Sequence, residues 1–212
     1  MIKIENVEVY GWEAAIRGMR NPLNSWDKSD SEKFLIENCI CNGEVVPFVI
    51  GENDFDLMKR LVNAGADHSK FMRMINVTLD VTAPLYWWKE ADTYKIGTVR
   101  NSCSTMHTIT QKEFTLDDFS HEHLIDLPLK TMKVVVDDLN ISRHKYLETK
   151  DKKYWWQMIQ LLPSSYNQRA TLQLNYAVLR NMYHSRKDHK LDEWRDFCAC
   201  IETLPYSELI TM

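Results

Sequence analysis

At 212 residues the chain has room for one domain of ordinary size but not for two large catalytic modules. With 44% hydrophobic and 26% charged residues and only six Gly and six Pro, it buries a core and is neither collagen-like, low-complexity nor disordered. A formal net charge of −4 supplies no basic field, which disfavours general nucleic-acid binding and attachment to an anionic membrane.

The opening run Met1-Ile2-Lys3-Ile4-Glu5-Asn6-Val7-Glu8 puts charges where a secretory signal needs an apolar stretch. The longest nearly apolar segment, about seven residues, falls far short of the roughly 20 that cross a bilayer. Five cysteines, an odd number, beside ten methionines suit a reducing interior. The expectation is a soluble, cytoplasmic protein.

Short alternation over residues 2–9 predicts a strand, and Gly11-Trp12 leads into the helical run Glu13-Ala14-Ala15-Ile16-Arg17. Residues 20–31 collect turn formers and predict a loop. Residues 43–51, interrupted by Pro47, predict extended edge structure. Asn53 is a candidate cap for a helix whose stripe is Leu57, Met58, Leu61 and Val62, with Gly65 placed to stop it. Residues 75–82 alternate apolar and polar, a strand with one buried face. Ala83-Pro84 ends it, with Pro84 at the first position of a helix over residues 85–95 that Gly97 closes. Helices are predicted around residues 127–145, over 168–186 and over 191–201, and Asp151-Lys152-Lys153 is a solvated charge run. The carboxyl half is thus mostly α. No repeat or Gly/Ser-rich linker divides the chain, so one α+β domain is expected over residues 1–212.

Cys39-Ile40-Cys41, Cys198-Ala199-Cys200 and His121-Glu122-His123 depart from the usual C-x₂₋₄-C zinc spacing, and a helical C-x-C sends its thiols about 200° apart. No metal site is expected. Phosphate-cradling glycine loops and the G-x-S-x-G elbow are missing from the sequence. Trp87-Trp88 and Trp155-Trp156 either stack on a planar ring or fill the core. On the helix predicted over residues 168–186, Asn175 and Arg186 fall within about 20° of one face. Arginine there fits a phosphate or carboxylate ligand, and equally an inter-helix salt bridge or a helix-dipole partner.

With these pieces in order, the chain resembles the flavin-dependent thymidylate synthases (ThyX) over two blocks covering roughly half its length. In the first, His68, the strand Val77–Val81 and Ala83-Pro84-Leu85-Tyr86 fall in register with the family's histidine, strand and helix start. In the second, Leu162-Pro163, Asn175, Asn181 and Arg186 match a Leu-Pro pair, two flavin-contacting asparagines and a substrate-phosphate arginine. Four places differ. The family's Arg-His-Arg is Thr93-Tyr94-Lys95, its Ser-x-Arg is Cys103-Ser104-Thr105, a further arginine is Ile159, and Asp192-Glu193-Trp194 only approximates the segment after Arg186.

The resemblance implies a ThyX-like α+β fold, a mixed or antiparallel central sheet flanked by helices, and a homotetramer with active sites between subunits. It also implies FAD near His68, Tyr94, Asn175 and Asn181, and a deoxyuridylate-like nucleotide near Lys95, Ser104 and Arg186. A phage or bacterial source would fit it. Two readings stand open. One is an enzyme resembling a flavin-dependent nucleotide methyltransferase that binds or modifies a nucleotide or a related anionic ring compound, with Arg186 holding its phosphate or carboxylate and Cys103 as a conceivable nucleophile. Lys95 and Arg100 would then replace some of the lost charge-assisted bonds, each worth about 1.5–3 kcal/mol. The other is a non-catalytic oligomeric scaffold or partner-binding protein, in which Cys103 is an inert thiol and His68 a structural residue.

Overall fold

The computed structural model describes residues 1–33 and 48–212; Cys39, Cys41 and most of the expected 43–51 edge segment lie outside the described residues. Strand β1 (Lys3–Tyr10) and helix α1 (Trp12–Arg20) follow the sequence pattern. Gly11 joins them at φ 98°, where a Cβ would meet the Met74 carbonyl oxygen at 2.1 Å, so only glycine fits. The short strands β2 (Glu32–Lys33) and β3 (Phe48–Val49) pair with each other. The described end of the 43–51 segment is therefore extended, as expected.

Helix α2 (Glu52–Asn63) forms where its stripe predicts, but its cap is not Asn53. Gly51 holds the N-cap position, and the N–H groups of Asn53 and Asp54 donate to the Asp30 carboxylate at 2.9 and 3.0 Å. The loop supplies the cap because the helix anchors the loop. Asp54, 0% exposed, pairs with Arg20 at 2.6 Å and accepts from the Ser29 and Ser31 hydroxyls, each at 2.6 Å. Arg20 also donates to the carbonyls of Ser25 and Lys28. Burial pushes the Asp54 carboxyl up, yet the bonds from Ser29, Ser31 and Arg20 prevail and hold it below the usual carboxylate range.

Strand β4 (Asn76–Pro84) alternates as read, burying Val77, Leu79, Val81 and Ala83. Pro84 caps helix α3 (Leu85–Ala91) rather than opening it. This helix stops well before Gly97. The Thr93 hydroxyl donates to the Glu90 carbonyl at 2.6 Å, a local bond that competes with helix continuation. Gly97, at φ 77°, instead turns the chain into strand β5 (Val99–Ser102). Helices α4 (Thr105–Thr108), α5 (Asp126–Thr149) and α6 (Lys152–Leu161) follow.

The helix expected over residues 168–186 is two elements, strand β6 (Asn167–Asn175) and helix α7 (Tyr176–Arg186). Gln, Arg, Ala and Leu favour a helix locally, but Ala170, Leu172 and Leu174 are buried while Arg169, Thr171 and Gln173 are exposed. That two-residue period, satisfied by pairing with β4, overrides propensity. Asn175 is then the N-cap of α7 and shares no helix face with Arg186. Helices α8 (Asp192–Glu202) and α9 (Glu208–Thr211) complete the helix-rich carboxyl half.

The sheet runs β1-β4-β6-β5, every pair antiparallel. Its buried face packs on Ile16, Met58, Trp87, Leu179, Trp194 and Ile210, contributed by six helices. A second cluster, centred on Phe119, Val136, Leu139 and Met158, lies under α5 and α6. Among the described residues no helix is long and apolar enough to cross a membrane.

On the other face of the sheet, Asp80 of β4 accepts from Asn6 of β1 at 2.8 Å and from Arg169 and Thr171 of β6 at 2.8 and 2.5 Å. These bonds, led by that from Thr171, hold its carboxyl down at about 2. The folded value lies below the unfolded one, so this stabilisation is complete above about pH 4 and disappears as pH falls through about 2. The melting temperature should therefore fall more steeply across that window for the native chain than for Asp80→Asn. Equal slopes in circular dichroism melts would contradict the assignment. Asp54→Ala strands a buried guanidinium and should cost about 3–5 kcal/mol in urea denaturation; a loss under about 1 kcal/mol would mean that the loop relaxes around Arg20.

Candidate functional site

Helix α3, the turn after it, the carboxyl end of α7, the segment that follows and the first turn of α8 bring one cluster of polar and aromatic side chains together. Arg186, in the last turn of α7, donates from Nε to Tyr94 Oη at 2.9 Å and from Nη1 to Glu90 Oε2 at 2.5 Å. Glu90 Oε2 also accepts from Trp194 Nε1 at 3.1 Å, and His189 Nε2 lies 3.4 Å away. The guanidinium sits 4.8 Å from the Trp194 ring centroid and 5.6 Å from that of Tyr94. Arg186 is thus enclosed by one carboxylate and two rings, and its side chain is only 19% exposed.

A second arginine is held alongside. Arg100 of β5 donates from Nη1 to both Asp92 oxygens, at 2.9 and 2.7 Å, and from Nη2 to Gln168 at 2.5 Å. Its guanidinium lies 3.9 Å above the Trp88 ring. Trp87, Trp88, Tyr94, Thr98, Arg100 and Phe197 line a cavity of about 190 Å³ between α3, β5, β6, α7 and α8. Trp87-Trp88 belongs to the core, whereas Trp156 is 45% exposed on α6.

Of the residues expected to bind a ligand or to catalyse, only Tyr94 and Arg186 hydrogen-bond to each other. Asn175, nearly buried, spends its Oδ1 on the Val178 N–H at 3.1 Å, and its Nδ2 lies against Gly97. Cys103 is exposed just beyond β5, its N–H donating to the Arg169 carbonyl at 2.9 Å. Ser104 is the exposed N-cap of α4. Lys95 is exposed in the turn after α3. His68 is exposed in the turn after α2, where its N–H closes onto Gly65, and Asn181 is exposed on α7. Neither hydrogen-bonds to Tyr94, Arg186 or Cys103.

The family's further arginine position is occupied by Ile159, packed against the second apolar cluster. Glu90, Asp92, His189 and Trp194 were not singled out by sequence as partners of the arginines. Each is unremarkable in the linear pattern, and only the fold of α3 against α7 and α8 unites them. Among the described residues no cluster of three or more His, Cys, Asp or Glu side chains suits a metal ion.

This architecture is the fold of the flavin-dependent thymidylate synthases, and the match spans the chain. The crystal structure of thymidylate synthase X (ThyX) from Helicobacter pylori with FAD and dUMP matches it with a TM-score of 0.68 at 17% identity, covering 100% of this chain and 97% of that one. A second Helicobacter pylori structure, flavin-dependent thymidylate synthase ThyX complexed with FAD and dUMP, gives 0.68 at 17% identity over 98% and 97%. Compared by sequence, the chain matches no family model and no curated protein.

Thiol access follows from burial. Cys198 of α8 is 3% exposed, and burial, with Glu202 nearby, pushes its thiol up to about 11. At neutral pH iodoacetamide should modify Cys103 at least tenfold faster than Cys198, read peptide by peptide in a mass spectrometer. Equal rates in the folded chain would contradict this placement.

Proposed function

We propose that this chain is a non-catalytic binding protein on the flavin-dependent thymidylate synthase fold, a single-domain subunit of a homo-oligomer that does not make thymidylate. The observation that carries this reading is the Glu90–Arg186 contact at 2.5 Å. A phosphate approaching Arg186 must displace a carboxylate on the same chain. Such an internal competitor acts at an effective concentration in the millimolar range or above. Separating the pair also leaves Glu90 facing the Trp194 ring edge without its main cation, which adds to the cost.

Two further observations support it. Ile159 fills an apolar cluster where the resemblance calls for an arginine, and Asn175 is engaged as a helix cap. The free thiols Cys103, Cys198 and Cys200 suit a reducing cytoplasm. A second reading, a nucleotide-modifying enzyme that binds FAD, draws on one observation. Cys103, Ser104, Lys95, His68 and Asn181 are all exposed, so a ligand or a neighbouring subunit can reach them.

An absorbance spectrum of the purified chain, repeated after adding FAD and desalting, separates the two readings. With it go calorimetric titration of dUMP and a size-exclusion mass. The expected result is an oligomer with no retained flavin band and dUMP affinity no better than millimolar. Glu90→Gln, which keeps the shape and removes the charge, should tighten dUMP binding about tenfold. A flavin band that survives desalting, or micromolar dUMP binding by the unaltered chain, would overturn the proposal.

A further inference from the structure

The geometry points to the cavity of about 190 Å³ between α3, β5 and α8 as a binding site for a small aromatic carboxylate, a ring of benzoate size bearing a single negative charge. The first observation is an excess of unmet donors. Among the described residues, Trp87 Nε1, Thr98 Oγ1 and Arg100 Nε are buried without a hydrogen-bond partner, and all three residues line this one cavity. Trp87 is 1% exposed. Buried polar groups are nearly always paired, so three orphans around one space call for a partner within it. An indole N–H and a guanidinium N–H can only donate, and a hydroxyl can also donate, so that partner must be rich in acceptors.

The walls and the charge narrow the class. Trp87, Trp88, Tyr94 and Phe197 give the cavity aromatic surfaces that favour a flat, apolar ring. The charge of Arg100 is matched by Asp92, which holds Nη1 with both oxygens. Lys95, also on the lining, forms no ion pair among the described residues and leaves one positive charge uncompensated. That balance fits a monoanion and not a phosphate dianion. Size agrees. At about 30 Å³ per water the space equals about six waters, room for one substituted ring. Sites for drug-sized ligands run to about 300–1,000 Å³, so a nucleotide or an isoalloxazine exceeds it. The inference stands on these groups and does not depend on the fate of Arg186.

Calorimetric titration of the full chain with benzoate, benzamide and benzene tests it, with the Trp87 indole N–H followed by NMR. Benzoate should bind saturably at millimolar concentration or better and shift that resonance, and benzene should bind at least tenfold more weakly. Trp87→Phe keeps the ring and removes the donor, and should weaken benzoate about tenfold. If that variant does not fold, Lys95→Gln at the exposed rim decides the matter. It should weaken benzoate several-fold and leave benzamide unchanged. No saturable benzoate binding, benzene binding as tightly as benzoate, or no effect of Lys95→Gln on benzoate would each overturn the assignment.

Discussion

Everything else in this protein is arranged around the double pairing of β4. It is hydrogen-bonded along its length to β6, from Asn76 opposite Asn175 to Pro84 opposite Asn167, and on its other edge to β1. Its side-chain period of two sends Val77, Leu79, Val81 and Ala83 into the core, so a slip of one residue would turn the apolar set out to solvent. Asp80, on the opposite face, reaches both neighbours at once. Helix α3 leaves directly from the end of this strand. The register of β4 therefore sets where Trp87, Trp88 and Glu90 stand.

The internal pairing of cations is the second organising theme. Arg20, Arg100 and Arg186 each pair with a carboxylate of this chain, Asp54, Asp92 and Glu90 in turn. Two of them also lie over tryptophan rings. Planar guanidinium groups can satisfy a carboxylate and an aromatic face together, which lysine cannot do as well. Such a site is already organised around its own charges. What it offers to a visitor is aromatic surface, a few spare N–H groups and, at the rim, the single ammonium of Lys95.

Helix α2 and strand β4 were legible because each carries one clear periodicity with a turn former at its edge. The 168–186 segment was not. Its strand half is built from Gln, Arg, Ala and Leu, good helix formers, and only the pairing with β4 makes a strand of it. The resemblance to flavin-dependent thymidylate synthases, visible in His68, Ala83-Pro84, Leu162-Pro163 and Arg186, identified the fold at 17% identity. It could not show the site, because two partners of Arg186, Glu90 and Tyr94, stand 96 and 92 residues from it along the chain. Contacts at that separation leave no local pattern. The cap of α2 was hidden for the same reason, since Asp30 reaches Asn53 across 23 residues.

Gly97 ties the cluster to the backbone in a further way. A Cβ at this position would meet Asn175 Nδ2 at 2.8 Å, so the turn after α3 touches the residue that starts α7. That helix is a rod of about 16 Å with Asn175 at one end and Arg186 at the other. Pushing the turn outward by the width of a methyl group would load the first hydrogen bond of the rod, while Tyr94, in the same turn, holds its far end through Arg186. Turn and helix form a closed mechanical loop, gripped at both ends, and neither can shift without carrying the other.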